Sequence, residues 1–201
     1  MPHRFTSRVE GDLARSSVGV DARRRSVIDL PWVTARQVHG ARVAVVDGPG
    51  EVGDADALVT ATPGVAIAVA VADCAPIALV GSGVVGVVHA GWRGIAAGVI
   101  PAALDAMRAL GATDVQAVLG PCIHVECYEF GPEDLDRVAS RLGEGVRGTT
   151  SWGAPALDVP AAVRASLAEV VDLDVCTACS AEHWSHRARG EKERQVVVAW
   201  M

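Results

Sequence analysis

Apolar residues in this chain come in short runs cut by glycine, proline and aspartate, and the spacing of the cuts decides what the runs can be. Between Ala57 and Trp92 nearly every residue is uncharged, which mimics a membrane segment. Pro63, Gly64, Asp73, Pro76, Gly81 and Gly83 divide this stretch into pieces of about seven residues, far short of the roughly 20 that cross a bilayer. Runs of that length without helical spacing read as buried strands. The pattern predicts strands at Val43–Val46, Ala57–Thr60, Val65–Val71, Ile77–Val80, Val84–His89, Val115–Leu119 and Gln195–Trp200.

Helical spacing is expected from Gly94 to Leu110, where Pro101 must kink or restart the helix because it lacks an N–H. Helices are also expected at Pro132–Leu142 and Pro160–Val171. The second has Asp158 near its cap and an apolar stripe of Val163, Leu167, Val170 and Val171. Residues 1–30 are weakly patterned, with an Arg23-Arg24-Arg25 cluster, and read as an irregular surface segment holding a short strand or helix. No repeat or linker interrupts the chain. The expectation is one α+β domain over residues 1–201.

Composition narrows the function classes. With 50% hydrophobic and 21% charged residues the chain is not a disordered one. Aromatics make up only 4%, so valine and alanine must fill the core. A formal net charge of −6 argues against a nonspecific grip on nucleic acid. Five cysteines, an odd number, follow a chain start that does not read as a secretion signal; the expectation is a reduced, cytoplasmic protein. In such a compartment six histidines and five thiols are available for a metal or a nucleophile.

The Gly81-Ser82 turn permits a register expectation. A two-residue loop with the positive φ on Gly81 pairs Val80 with Gly83 and sets Cys74 directly opposite His89, with Cβ atoms about 5 Å apart. That distance suits a bridging metal or a thiol–imidazole pair. His39, in Gln37-Val38-His39-Gly40 just before a strand, can return to the same sheet end. His39, Cys74 and His89 then make three ligands with one tetrahedral position open, the pattern of catalytic zinc rather than of a closed structural site. Cu²⁺ would compete for the same donors. Gly91 and Gly94 allow a tight strand-to-helix turn, from which Arg93 could clamp phosphate. Asp73 could accept a proton or orient a neighbour.

Other thiols and imidazoles carry weaker signals. Cys122, Cys127, Cys176 and Cys179 are enough for a structural zinc site, but a lone Cys176-x-x-Cys179 lacks the second short-spaced pair, so incidental thiols are the expectation. His183 and His186 are expected in a surface loop before Arg187 and Arg189.

Gln37-Val38-His39-Gly40, Ala55-Asp56-Ala57-Leu58-Val59-Thr60, Ala72-Asp73-Cys74-Ala75-Pro76, His89-Ala90-Gly91-Trp92-Arg93-Gly94 and Gly120-Pro121-Cys122-Ile123 occur in the order seen in the YfiH-like family. The tail Cys176-Thr177 and Trp184-Ser185-His186-Arg187 is similar to that family's C-terminal motif. Members carry the names polyphenol oxidase (laccase), purine nucleoside phosphorylase and peptidoglycan editing factor. The resemblance covers about residues 33–201, with residues 1–32 as an abbreviated N-terminal segment. It implies two mixed β-sheets packed as a sandwich and flanked by helices, and zinc on His39, Cys74 and His89. It further implies phosphorolysis of adenosine, inosine and methylthioadenosine, with adenosine deamination alongside, so that purine nucleoside and phosphate are the expected partners.

Two other classes stay open on the sequence. A cysteine hydrolase or amidase editing peptidoglycan precursors would use Cys74 as nucleophile and His89 as base. A non-catalytic nucleotide-binding partner of cell-wall synthesis needs the cavity alone. A true multicopper laccase does not fit, because six scattered histidines without a His-x-His pair cannot build four copper sites.

Overall fold

The computed structural model describes residues 2–50 and 52–201. The strands, in chain order, are β1 (His3–Phe5), β2 (Trp32–Thr34), β3 (Val43–Val45), β4 (Ala57–Thr60), β5 (Ala66–Val71) and β6 (Ala75–Gly81). They continue with β7 (Val84–Ala90), β8 (Gln116–Leu119), β9 (Arg147–Thr149), β10 (Pro155–Leu157), β11 (Val171–Asp172) and β12 (Gln195–Trp200). The helices are α1 (Val20–Val27), α2 (Trp92–Ala97), α3 (Val99–Ala109), α4 (Pro132–Leu142), α5 (Val159–Arg164) and α6 (His186–Arg189).

Two mixed sheets carry the fold. One has six strands in the order β11-β8-β6-β7-β4-β3, the other four in the order β1-β12-β5-β2, and β9 and β10 form a separate pair. Both are antiparallel at the centre and parallel at an edge: β3 runs with β4, β11 with β8, and β2 with β5. Alternation along the strands assigns their faces. Leu58, Ala78, Val85 and Val87 of the larger sheet pack with Val33, Ile67, Val69 and Val197 of the smaller one. Their neighbours Val59, Ile77, Leu79 and Val88 face the other way, onto Ile95, Val99, Met107, Val138 and Val163 from α2–α5. The outer face of the smaller sheet, Ala66, Ala68 and Val198, is covered by Val27, Ile28 and Trp32. The layers are therefore helix, sheet, sheet, helix. Strands buried on both faces explain why the apolar runs lack a polar alternation, and no described helix is long and apolar enough to cross a membrane.

Several expected elements are found at or near their predicted bounds, including β4, α4 and β12. The long helix after β7 restarts at Gly98, whose φ is +89°, and Pro101 sits in the first turn of α3, where its missing N–H breaks no helical bond. Residues 1–30 hold β1, a 3₁₀ turn over Arg8–Glu10 and α1.

Two expectations need correction. The helix begun at Asp158, which accepts from Ala161 N at 2.7 Å, ends at Arg164 instead of reaching Val171. Val171 instead pairs in parallel with Val118, a better place for a β-branched pair of valines than a helix end. The β6–β7 register also differs. The loop is Ser82-Gly83, with the positive φ of +71° on Gly83, so His89 pairs with Pro76 and Ala75 with Ala90. Cys74 is thus a diagonal neighbour of His89. Because the slip is two residues in pairing, Cys74, Pro76 and Ala78 keep the face shared with Val85, Val87 and His89.

Gly120, just beyond β8 of the larger sheet, packs against Phe5 of β1 in the smaller one: a Cβ there would fall 2.2 Å from the Phe5 ring. Gly120→Ala is expected to destabilise the fold by about 1–3 kcal/mol through overpacking. A urea midpoint unchanged from wild type would contradict this packing.

Candidate metal centre

The inter-sheet face of the larger sheet turns polar at one end. On β7 the residue after Val85 and Val87 on this face is His89; the backbone N–H of His89 donates to Asp56 O at 2.7 Å, so Asp56, just ahead of β4, sits opposite it. Asp56 is fully buried and His89 only 3% exposed. The Asp56 carboxylate accepts from His89 Nδ1 at 2.8 Å. It also accepts backbone N–H bonds from Val38 at 3.2 Å, His39 at 2.9 Å and Gly40 at 2.7 Å. One side chain therefore orients His89 and shapes the loop that presents His39, whose φ of +58° is left-handed.

Gln37 anchors the same loop from the other sheet. Its amide donates to Ala70 O at 2.7 Å and accepts from Ala70 N at 2.8 Å, continuing the β5 ladder past the end of β2.

These constraints bring the three sequence-predicted ligands together. The donor atoms of His39, Cys74 and His89 all lie within 4.8 Å of one another. Cys74 Sγ is 3.8 Å from His39 Nε2, against about 3.6 Å for the N···S edge of a zinc tetrahedron. With His89 Nδ1 engaged by Asp56, Nε2 is the nitrogen left to ligate. The set fits a borderline-soft divalent ion, one thiolate and two imidazoles, and can hold one. The glycines after His89 serve this approach. Gly91 has an ordinary φ of −72°, but a Cβ on it would lie 2.7 Å from His39 Cδ2 and 3.2 Å from Cys74 Sγ. On Gly94 a Cβ would meet Gly40 O at 2.8 Å. Both glycines admit the His39 loop, a role distinct from the turn flexibility expected of them.

Charge follows geometry. Burial would raise the Cys74 thiol, but His39 and His89 beside it bring it down to about 6. Burial would lower His89, but its bonds to Asp56 and Cys74 raise it to about 9. Both shifts favour a thiolate beside an imidazolium when no metal shares the charge.

Asp73 occupies a left-handed φ of +90° beside Cys74 and is 7% exposed. Its carboxylate accepts from Thr177 Oγ1, Ser185 Oγ and the Arg187 N–H, each at 2.7 Å. It ties the irregular C-terminal segment to the end of β6. Arg93, by contrast, does not line the cavity over His39, Cys74 and His89. As the second residue of α2 it is exposed, with its guanidinium 4.2 Å from the centroid of Trp92. The arginines that do line the cavity are Arg15, Arg187 and Arg194, with Tyr128 beside them. Of the two histidines expected in a surface loop, His183 is buried and bonded to Ser180 at 2.9 Å, and His186 opens α6 and lines the cavity.

Asp56, Gln37, Thr177, Ser185 and Arg187 escaped the residue-level reading. Asp56 had one available signal: a charge directly abutting the apolar run Ala57–Val59 is expensive unless paired.

A match to the family described as multi-copper polyphenol oxidoreductase laccase spans residues 15–201. A purine nucleoside phosphorylase of Streptomyces coelicolor is 42% identical over 202 residues, covering 94% of this chain and 80% of that protein. An adenosine deaminase from an unknown prokaryotic organism is 37% identical over 177 residues, covering 76% and 67%. The crystal structure of YlmD from Geobacillus stearothermophilus superposes with a TM-score of 0.82 at 29% identity, covering 94% of this chain and 84% of that one.

Replacing Asp56 by Asn turns an acceptor toward backbone donors into a second donor, so Asp56→Asn is expected to weaken metal affinity by about 10–100-fold, measured by competition with a chromophoric chelator. In chelator-stripped protein, alkylation of Cys74 is expected to reach half its maximal rate near pH 6 rather than near the ordinary thiol value of 9.0. A midpoint above pH 8 would show that the imidazoles do not act on the thiol.

Proposed function

The chain belongs to the multi-copper polyphenol oxidoreductase laccase family, and from that premise we propose a zinc-dependent purine nucleoside phosphorylase acting on adenosine, inosine and methylthioadenosine, with adenosine deamination as a second activity. The observation that carries this reading is the convergence of a three-donor metal set and arginine side chains on one cavity of about 550 Å³, a size suited to a small ligand. The names of the relatives in Streptomyces coelicolor and in the unknown prokaryote supply the two reaction types.

In this reading a phosphate oxygen attacks C1′ of the ribose while the bond to the purine nitrogen breaks. The bonding pair leaves with the base, which takes up a proton. Arg187 is the residue we assign to phosphate: it lines the cavity, one guanidinium nitrogen donates to Glu129 O at 2.8 Å, and its Cζ lies 4.7 Å from the Tyr128 ring centroid, two contacts that hold the side chain in place. Arg15 and Arg194 add positive charge around the same space. This replaces the role expected of Arg93. Asp73 acts as a positioning residue, since three donors already occupy its carboxylate. His39, Cys74 and His89 would hold the zinc ion, which when bound supplies Lewis-acid polarisation.

A second reading rests on one specific feature. Asp56, His89 and Cys74 stand in the order orienter, base and nucleophile, with the thiol at about 6, as a cysteine hydrolase or amidase acting on peptidoglycan precursors would need. His39 separates the two by degree: its loss removes a ligand that the metal enzyme requires, but only one of the two imidazoles that lower the Cys74 thiol of a hydrolase.

Wild-type protein in zinc-replete buffer is expected to release free base from adenosine and inosine only when phosphate is present. Cys74→Ala and His39→Ala should each lower turnover by more than about 100-fold, beyond the loss from a supporting residue. Arg187→Ala should raise the KM for phosphate about tenfold or more, equivalent to one charge-assisted hydrogen bond. Activity that is weakened but not abolished in His39→Ala would favour the hydrolase. Nucleoside binding without turnover would favour a non-catalytic nucleotide-binding partner of cell-wall synthesis.

A further inference from the structure

A second group of ligating side chains lies on the far side of the C-terminal segment. The donor atoms of Glu126, Cys127, Cys176 and Cys179 all fall within 4.8 Å of one another. Two distant stretches meet there. Cys127 ends a 3₁₀ turn closed by its own N–H donating to His124 O at 3.0 Å. Cys176 opens a tight turn in which Ser180 N donates to Cys176 O at 2.9 Å, bringing Cys179 back beside it. The stretches are aligned by a parallel bridge between Cys122 and Cys176, with Thr177 N donating to Cys122 O at 2.9 Å. Cys122 itself is buried outside the cluster.

The spacing suits a metal better than a covalent bridge. Cys127 Sγ and Cys179 Sγ are 3.4 Å apart. Ligands about 2.3 Å from a zinc ion at tetrahedral angles stand about 3.8 Å apart, whereas a disulfide needs about 2.05 Å. The Glu126 carboxylate, 3.8 Å from His124 Nδ1, completes four donors.

We propose that Glu126, Cys127, Cys176 and Cys179 form a second, closed structural site for a soft divalent ion such as Zn²⁺. Three thiolates and a carboxylate leave no open position, the mark of a structural rather than a catalytic ion. Its effect is positional. Thr177, inside the Cys176–Cys179 turn, donates to Asp73 at 2.7 Å, and Arg189 holds Thr177 O at 3.1 Å and Ala178 O at 2.9 Å. An ion joining this turn to Cys127 would fix the segment that Asp73 anchors beside Cys74.

Metal content separates this site from the first without reference to activity. Wild type loaded with Zn²⁺ and desalted is expected to hold two equivalents by elemental analysis, with one retained in Cys74→Ala and one in Cys179→Ser. Cobalt-loaded Cys74→Ala should show a thiolate-to-cobalt charge-transfer band that the Cys74→Ala/Cys179→Ser double variant lacks. A chelator should lower the melting temperature of Cys74→Ala but not of the double variant. A single equivalent in wild type that disappears in Cys74→Ala would overturn the proposal. So would an intact mass lacking two hydrogens under non-reducing conditions, mapped to a Cys127–Cys179 disulfide. A Cys179→Ser protein that fails to fold leaves Glu126→Gln, expected to weaken the second equivalent and spare the first, as the deciding variant.

Discussion

The buried carboxylate of Asp56 is the constraint on which the rest of the site depends. An ionised carboxylate withdrawn from water costs several kcal/mol unless its lone pairs are satisfied. Here one imidazole and three consecutive backbone N–H groups satisfy it. Those donors need the residue 38–40 loop to curl with His39 at positive φ, and they leave His89 with only Nε2 to offer. The loop then has to pass within contact of the β7–α2 turn, which only glycine at 91 and 94 permits. A motif that reads as separate pieces in the chain is thus one packing solution around a single charge.

Asp73 repeats the device on the other side of Cys74. Both carboxylates sit where the larger sheet runs out of apolar partners, and each draws an irregular segment onto the sheet end through backbone and hydroxyl donors. The cavity is consequently built on a rigid wall, the end of β5, Cys74 just ahead of β6 and His89 of β7, and on two tethered walls, the His39 loop and the segment that carries His186, Arg187 and Arg194. Rigid placement of Cys74 and His89 comes from strands; placement of His39 and Arg187 comes from hydrogen bonds to two buried charges.

Much of this was legible in the chain. Bounds of the central strands and of α4 followed from apolar runs and their breakers, whereas the short strands β2, β9, β10 and β11 carried too little pattern to read, and the grouping of His39, Cys74 and His89 survived a wrong register. It survived because a two-residue change in pairing preserves the face of every side chain, while the turn itself was misjudged: both Gly81 and Gly83 could supply the positive φ, and sequence alone does not choose between them. Arg93 was misplaced for a different reason. Its position at a strand-to-helix turn says that it is near the site, but the direction of a side chain on the first turn of a helix depends on how that helix docks. Here α2 docks with Trp92 edge-on against Phe130 at 5.3 Å, and Arg93 is exposed and outside the cavity. Thr177 and Ser185 were unreadable, since a hydroxyl carries no sign of the distant carboxylate it will meet.

The two thiol clusters show how environment sorts one residue type into two kinds of chemistry. Cys74 borders a cavity, between two imidazoles that favour its thiolate, in a three-donor set with a side left for a ligand. Cys127 and Cys176 lie away from that cavity, and burial holds both thiols above the ordinary range, so that they gain a thiolate's stability only if a cation arrives to share the charge. Copper would be accepted by the first set as readily as zinc, but the histidines at that end supply a single centre with one thiolate. In the function proposed, an ion held there and faced by arginines across a cavity would polarise a bond in a bound anion or nucleoside. The several-electron reduction of oxygen that the family's description brings to mind needs clustered coppers, and the chain has no His-x-His pair with which to build them.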